Sequence, residues 1–276
     1  MNFLQFEFET ESRQQLEQLV ALLNVQDFDG FEEEDNTLKA FIPELKFNEE
    51  GFSRVLDRFA NINYIRTVIE QVNWNRQWEE GFQPVVIGEF AAIRADFHPS
   101  ITGVKHEVII TPKMSFGTGH HATTFLVIQQ MEQIEFRDKM VLDFGTGTGI
   151  LAILAEKCGA AEIIAIDYDE WSITNTKENL QRNNCVAVDV RMLDTIPGDS
   201  RFDIILANIN LNILTSQMPA IAAASNPGCT IVFSGFLKND EDSMIKNMEQ
   251  EGLMYVSTSQ RGDWISILAK APTSVK

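Results

Sequence analysis

The sequence predicts an α/β protein: a doubly wound parallel sheet preceded by a small α+β unit. Three observations predict it. From Met140 onward, short apolar strand-like runs alternate with helical patterns, as parallel strands joined by crossover helices require. The first seventy residues instead read strand, helix, two strands, helix, strand. The first strand of the second half runs directly into a loop with glycine at every second position, Gly145, Gly147 and Gly149.

In the leading unit, Phe3 to Phe8 alternates at period two, the pattern of a half-buried strand. Leu16, Leu19, Val20 and Leu23 fall at helical spacing. Phe28–Glu34 and Thr37–Ile42 read as two strands joined by a turn at Asp35-Asn36. Phe52, Val55, Leu56 and Phe59 form a second helical stripe, and Tyr64 to Glu70 alternates as a fourth strand. A βαββαβ order with an antiparallel sheet is the ferredoxin-like arrangement. The expected division is therefore 1–70 as a separate unit, 71–112 as linker and connecting strands, and 113–276 as the main domain. In the linker, Trp74 and Trp78 share one face if the segment is helical, and read as packing anchors. Strand-like patterns follow at Pro84–Phe97 and Lys105–Thr111.

In the main domain, strands are expected at Met140–Phe144, Glu162–Asp167, Ala187–Met192, Phe202–Asn208, Cys229–Ser234, Met254–Thr258 and Trp264–Ala269, with helices between the first five. The last two lie close together, as an antiparallel hairpin would.

The 276 residues carry a net charge of −18, and residues 1–70 alone hold fifteen acidic and six basic side chains, half of that net charge. A nucleic-acid binder normally shows a basic face, so an acidic chain points away from direct RNA or DNA contact and toward solubility or a basic protein partner. No apolar run is long enough to span a bilayer, and the N-terminus lacks the basic start of a secretory signal. Cys158, Cys185 and Cys229 are odd in number and widely spaced, as reduced cytoplasmic thiols are, and form no metal pattern. A cytoplasmic monomer without metal or membrane contact is the expectation.

Glycines suit a sharp turn that brings backbone against a ligand, and a helix N-terminus beside the turn offers N–H groups. A phosphate loop requires Gly-Lys-Ser or Gly-Lys-Thr at its end, but Ile150 follows the last glycine. A dinucleotide fingerprint requires glycine at position 150. The pattern present, Asp143-x-Gly145-x-Gly147-x-Gly149, resembles motif I of class I methyltransferases, in which an acid two places before the first glycine lies near the methionine amine. Asp167 ends a strand about twenty residues later, where a carboxylate can accept hydrogen bonds from ribose hydroxyls. Asn208 ends a further strand, at the edge where ligands of open α/β sheets sit. Its side chain can orient an amine, or cap the next helix. The Pro-Pro-Tyr that follows such an Asn in many amino-methyltransferases is replaced by Ile209-Asn210-Leu211. Upstream, Phe116-Gly117-Thr118-Gly119-His120-His121-Ala122-Thr123-Thr124 leads into a helix and could fold over the ligand, with Thr124 offering its hydroxyl to a methionine carboxylate. Either histidine could act as general base, but capping or packing is the simpler reading.

FGTGHHATT, VLDFGTGTGILAI, AIDYDEWSITNTKEN and ILANI together resemble the PrmA-type methyltransferases of ribosomal large-subunit protein eleven. The resemblance implies a class I methyltransferase fold, S-adenosyl-L-methionine as cofactor, and N-methylation of lysine ε-amines, the N-terminal α-amine, or both, on a basic ribosomal protein. It carries cofactor contacts onto Thr124, Gly145, Asp167 and Asn208, with Gly147 in the same loop, and gives the acidic unit at 1–70 the role of gripping the substrate protein. The competing readings are a methyltransferase for RNA or a small molecule and, on the glycine loop alone, a nicotinamide oxidoreductase.

Overall fold

The computed structural model describes residues 2–59, 62–69, 82–113 and 117–273. Trp74, Trp78 and the start of the FGTG segment lie outside the described residues. The chain divides into two compact units, Met1–Glu80 and Gly81–Lys276.

In the first unit, β1 (Phe3–Glu9) pairs antiparallel with both β3 (Thr37–Pro43) and β4 (Asn63–Ile69), and β2 (Gly30–Glu34) pairs with β3. The order is β2-β3-β1-β4. Period two along β1 sends Leu4, Phe6 and Phe8 into a core with Leu16, Leu19 and Leu23 of α1 (Arg13–Asn24) and Phe52 of α2 (Glu49–Leu56). Ser12 and Asn48 cap these two helices, each accepting a backbone N–H from the first turn. Asp35 takes a positive φ of 43° in the β2–β3 turn, a conformation that Asp tolerates better than most residues.

The second unit holds a three-stranded sheet and a seven-stranded one. The small sheet, β5 (Val85–Ile87), β6 (Ala91–Ala95) and β7 (His106–Ile110), packs Ile93, Val108 and Ile110 into the same core as the glycine-loop helix. Residues 82–112 thus contribute core to the second unit rather than serving only as connection.

The large sheet runs β10-β9-β8-β11-β12-β14-β13. Its strands are β8 (Met140–Phe144), β9 (Glu162–Asp167), β10 (Val188–Met192), β11 (Phe202–Asn208), β12 (Ser225–Leu237), β13 (Met254–Arg261) and β14 (Trp264–Lys270). The first five are parallel; β14 inserts antiparallel between β12 and β13. Alternation divides each central strand between two cores. Val141, Ile163, Ala165, Ile204 and Leu206 meet α3 (Ala122–Met131), α4 (Ile150–Lys157) and Leu180 of α5 (Glu170–Arg182). Leu142, Phe144, Ile164, Ile166, Ile205 and Ala207 meet α6 (Leu211–Ala224) and α7 (Glu241–Gln250).

Two elements differ from the sequence expectation. No helix joins β10 to β11, because Pro197-Gly198 sits mid-connection and the nine residues 193–201 form turns. An unanticipated helix, α7, joins β12 to β13; its buried stripe is only Met244 and Met248, too sparse a period to read. Strand order reverses between β8 and β11, and ligands of open α/β sheets bind beyond the carboxyl ends of the strands at such a reversal.

Candidate active site

Three strand ends converge at that reversal. Asp143 and the glycine loop leave β8, Asp167 ends β9, and Asn208 ends β11. They border a cavity of about 400 Å³, inside the usual range for small-molecule sites. Gly145, Gly147, Asp167, Tyr168, Asp169 and Ser172 line it, as do Asn208, Ile209, Asn210, His121, Thr123 and Trp264.

The loop is fixed by hydrogen bonds on every side. Gly145 N–H and Thr146 N–H both donate to Ile166 O of β9, at 2.9 and 3.0 Å. Gly147 N–H donates to Asp167 Oδ2 at 2.9 Å, and Asp169 N–H to Asp167 Oδ1 at 3.1 Å. From α5, Thr176 Oγ1 donates to Gly147 O and Asn179 Nδ2 to Thr148 O. A carboxylate offers about four lone-pair positions. Asp167 therefore staples the loop through one oxygen, braces its own turn through the other, and keeps acceptor capacity for hydroxyls in the cavity.

Asp143 lies within the end of β8, under the loop. It is fully buried beneath the loop, where its Oδ2 accepts Thr146 Oγ1 at 2.6 Å and Ala152 N–H at 3.2 Å. Its Oδ1 has no hydrogen-bond partner. Burial pushes its pKa up to about 7, against the two hydrogen bonds that favour the charged form. One N–H of the α4 N-terminus is thus already satisfied by an internal carboxyl.

Asn208, 8% exposed, donates through Nδ2 to Thr124 Oγ1 at 3.2 Å. Its Oδ1 is buried without a partner in a wall of the cavity. The cap of α6 is Asn210, whose Oδ1 accepts Ile213 N–H. The capping alternative thus falls to the neighbour, and Asn208 keeps a free acceptor. Thr124 is 1% exposed and faces Asn208, while Thr123 lines the cavity. Adjacent helical positions point about 100° apart, so the two threonines meet the site differently, Thr123 at the cavity lining and Thr124 through Asn208.

His121 caps α3: its Nδ1 accepts Thr123 N–H and lies 2.8 Å from Thr123 Oγ1. Desolvation lowers its pKa, favouring neutral imidazole. Its ring meets the Trp264 indole at 4.6 Å between centroids and 70° between planes. His120 points elsewhere, with Nε2 donating to Gln83 O. Upstream, Thr148 Oγ1 donates to Gly117 O at 2.6 Å and ties the FGTG segment to the loop. Opposite, Gly235 (φ 102°) packs so closely on Ile209 that a Cβ there would lie 2.3 Å from Ile209 O. Gly235 and Trp264 come from distant strands, and nothing local in the sequence marks them.

The donor set accords with a ligand carrying ribose hydroxyls at one end and reacting at a polar, uncharged wall at the other. Asp167 has spare acceptor positions, and Asn208, whose Oδ1 makes no hydrogen bond, lines the same cavity. Among the described residues no cluster of three His, Cys, Asp or Glu side chains could hold a metal.

The family model described as ribosomal protein L11 methyltransferase (PrmA) matches residues 5–272. The chain belongs to that family. The ribosomal protein L11 methyltransferase of Bacteroides fragilis is 35% identical over 276 residues, covering 97% of this chain and 99% of the relative. That of Porphyromonas gingivalis is 38% identical over 247 residues, 87% of this chain and 85% of the relative. The crystal structure of a ribosomal protein L11 methylase from Lactobacillus delbrueckii subsp. bulgaricus superposes with a TM-score of 0.64 at 26% identity, covering 69% of this chain and all of that one. As a member of the PrmA family this chain is a class I, S-adenosyl-L-methionine-dependent protein methyltransferase. No helix among the described residues is long and apolar enough to cross a membrane.

Proposed function

We propose that this enzyme methylates amines of ribosomal protein L11, lysine ε-amines, the N-terminal α-amine or both, using the cavity between Asp167 and Asn208. The observation that carries the reading is the buried, unpartnered Asn208 Oδ1 in the same cavity as the Asp167-stapled glycine loop. In this reading Gly145, Gly147 and Asp167 hold the cofactor end. Asn208 faces the acceptor, and Thr124 acts from behind by fixing the Asn208 amide.

When bound, S-adenosyl-L-methionine supplies an activated methyl: the amine nitrogen bonds to the methyl carbon as the carbon–sulfur pair passes to sulfur. The amine must arrive without one proton, and at neutral pH only about one model lysine in a thousand does so. The acceptor wall of Asn208, Ile209 and Trp264 carries no charge and lowers the cost of that loss by desolvation. Asn208 Oδ1 accepts an amine N–H and thereby aims the nitrogen lone pair along the transfer line, a positional contribution. The proton goes to water; His121 is turned to its own helix cap and Trp264, and the reading requires no protein base.

The acidic first unit suits a basic substrate protein, since complementary charge speeds encounter and disfavours wrong partners. We assign it the gripping role, with the protein acting as a cytoplasmic monomer without nucleic acid. The same acidity disfavours RNA as substrate. The test is calorimetry with S-adenosylhomocysteine, then incubation with methyl-labelled cofactor and a total ribosomal extract. Heat and label in one large-subunit protein are expected. Label in RNA, or no heat, overturns the proposal.

A further inference from the structure

The acceptor side of the cavity combines two chemistries. One is the Asn208 amide oxygen, buried and without a partner. The other is aromatic: Trp264 and His121 both line the cavity and pack on each other at 4.6 Å. An alkylammonium with three N–H donors is met most fully by several oxygen acceptors, and an aromatic pair offers none. The carboxylates of the cavity, Asp167 and Asp169, are engaged by backbone and helix-cap hydrogen bonds at the glycine loop and the α5 N-terminus.

The two chemistries have opposite preferences as methyls accumulate on nitrogen. An amide oxygen needs an N–H. A primary ammonium has three, a dimethylated one has one, and its free base has none. An aromatic face needs no N–H: it attracts the diffuse charge of a methylated ammonium and contacts the methyls themselves, as aromatic cages for quaternary ammonium do. Desolvation holds His121 toward its neutral form, so the aromatic wall does not repel the incoming cation.

We infer that the acceptor wall is divided by methylation state. Asn208 selects the amine while it still carries N–H groups. The Trp264–His121 pair holds it once it carries methyls, through contact with the methyl groups that the neutral, reacting amine keeps, and so supports repeated transfer to one nitrogen. This rests on the amine-methyltransferase reading given above and goes beyond it in naming Trp264 as a specificity residue for the later transfers.

Trp264 lies in β14, whose backbone ladder to Leu237 and Arg261 does not depend on the indole, so side-chain variants keep the pairing. The experiment uses full-length enzyme and two acceptors: unmodified L11, and L11 whose amines have been reductively dimethylated. KM and kcat are measured for each, with S-adenosylhomocysteine calorimetry and a thermal midpoint as controls. Trp264→Ala is expected to raise KM about tenfold for the dimethylated acceptor and no more than about threefold for the unmodified one. Trp264→Phe should restore most of the loss, and Asn208→Ala should show the reverse preference. On unmodified L11 given excess cofactor, Trp264→Ala should accumulate lower methylation states in intact-mass spectra.

Equal effects of Trp264→Ala on both acceptors would overturn the inference, as would wild-type enzyme that neither methylates nor is inhibited by the dimethylated protein. Failure of wild-type enzyme to bind S-adenosylhomocysteine, or to label unmodified L11, would instead sink the functional reading itself.

Discussion

Replacing Asp167 tests how the cofactor wall is built. Its carboxylate accepts two backbone N–H groups, from Gly147 at 2.9 Å and Asp169 at 3.1 Å, and is 8% exposed. Asp167→Ala strands both donors, and a stranded buried donor costs about 1–3 kcal/mol. It also removes the acceptors offered to ribose hydroxyls, where each hydrogen bond to a charged group contributes about 1.5–3 kcal/mol. The loop can relax and admit water, so we expect about 3 kcal/mol lost from S-adenosylhomocysteine binding, roughly 150-fold in Kd. Asp167→Asn keeps one acceptor oxygen and should lose about tenfold. The stranded donors should also lower the thermal midpoint of the free Ala variant by about 4–8 °C, the shift that ~2 kcal/mol gives in a domain of this size. Isothermal calorimetry and thermal melts separate the effects. If Asp167→Ala binds S-adenosylhomocysteine within threefold of wild type yet melts early, Asp167 is only a staple of the loop and the ribose assignment is wrong.

Further expectations concern the surroundings of the site. Gly235→Ala places a Cβ 2.3 Å from Ile209 O at a left-handed φ, so it should melt several degrees lower and lose transfer activity through the displaced Asn208–Asn210 segment; wild-type melting and turnover would refute the close packing. Asp143 binds its proton more tightly folded than unfolded, since burial lifts its pKa from 3.8 to about 7. Its contribution to stability is therefore complete below pH 4, falls as pH rises, and is lost above pH 7, a change on the order of 4 kcal/mol across the window. The stability of Asp143→Asn relative to wild type, from urea midpoints, should rise between pH 4 and 7; a constant difference would contradict the buried, proton-holding carboxyl. Removal of residues 1–80 should leave S-adenosylhomocysteine binding within about twofold and abolish methylation of L11, and turnover by the full chain should fall steeply with added salt. Turnover flat with salt would remove charge steering from the account.

What the sequence made legible is local. The loop glycines, Asp167 and Asn208 each sit at a strand-to-loop junction, where a few neighbours determine both position and chemistry. Helix α4 begins at Ile150, directly after the last glycine, as the pattern required. What the sequence did not show has equally physical causes. That Thr123 as well as Thr124 belongs to the site turns on a single helical step, finer than a loop-to-helix boundary can be read. The burial of Asp143 and its bonds to Thr146 and Ala152 were not legible, because sequence does not distinguish a carboxyl above a glycine loop from one buried beneath it. Gly235 reaches the cavity through the pairing of β12 with β11, and Trp264 because β14 inserts antiparallel beside β12, pairings between segments whose apolar runs would suit several sheet orders. His121 reads as a cap from sequence; its contact with Trp264 depends on that same long-range pairing.

The central claim is that the wall carrying Asn208 presents an L11 amine to a methyl held over the Asp167-stapled loop. Purified L11 incubated with methyl-labelled S-adenosylmethionine tests it most directly, with wild-type and Asn208→Ala enzyme compared by intact mass and peptide mapping. The account predicts mass increases in methyl steps on amine nitrogens with wild-type enzyme. With Asn208→Ala it predicts a fall in kcat on unmodified L11 of at least tenfold, at near-normal S-adenosylhomocysteine affinity. No mass increase on L11, or an Asn208→Ala enzyme with wild-type kcat, would contradict it.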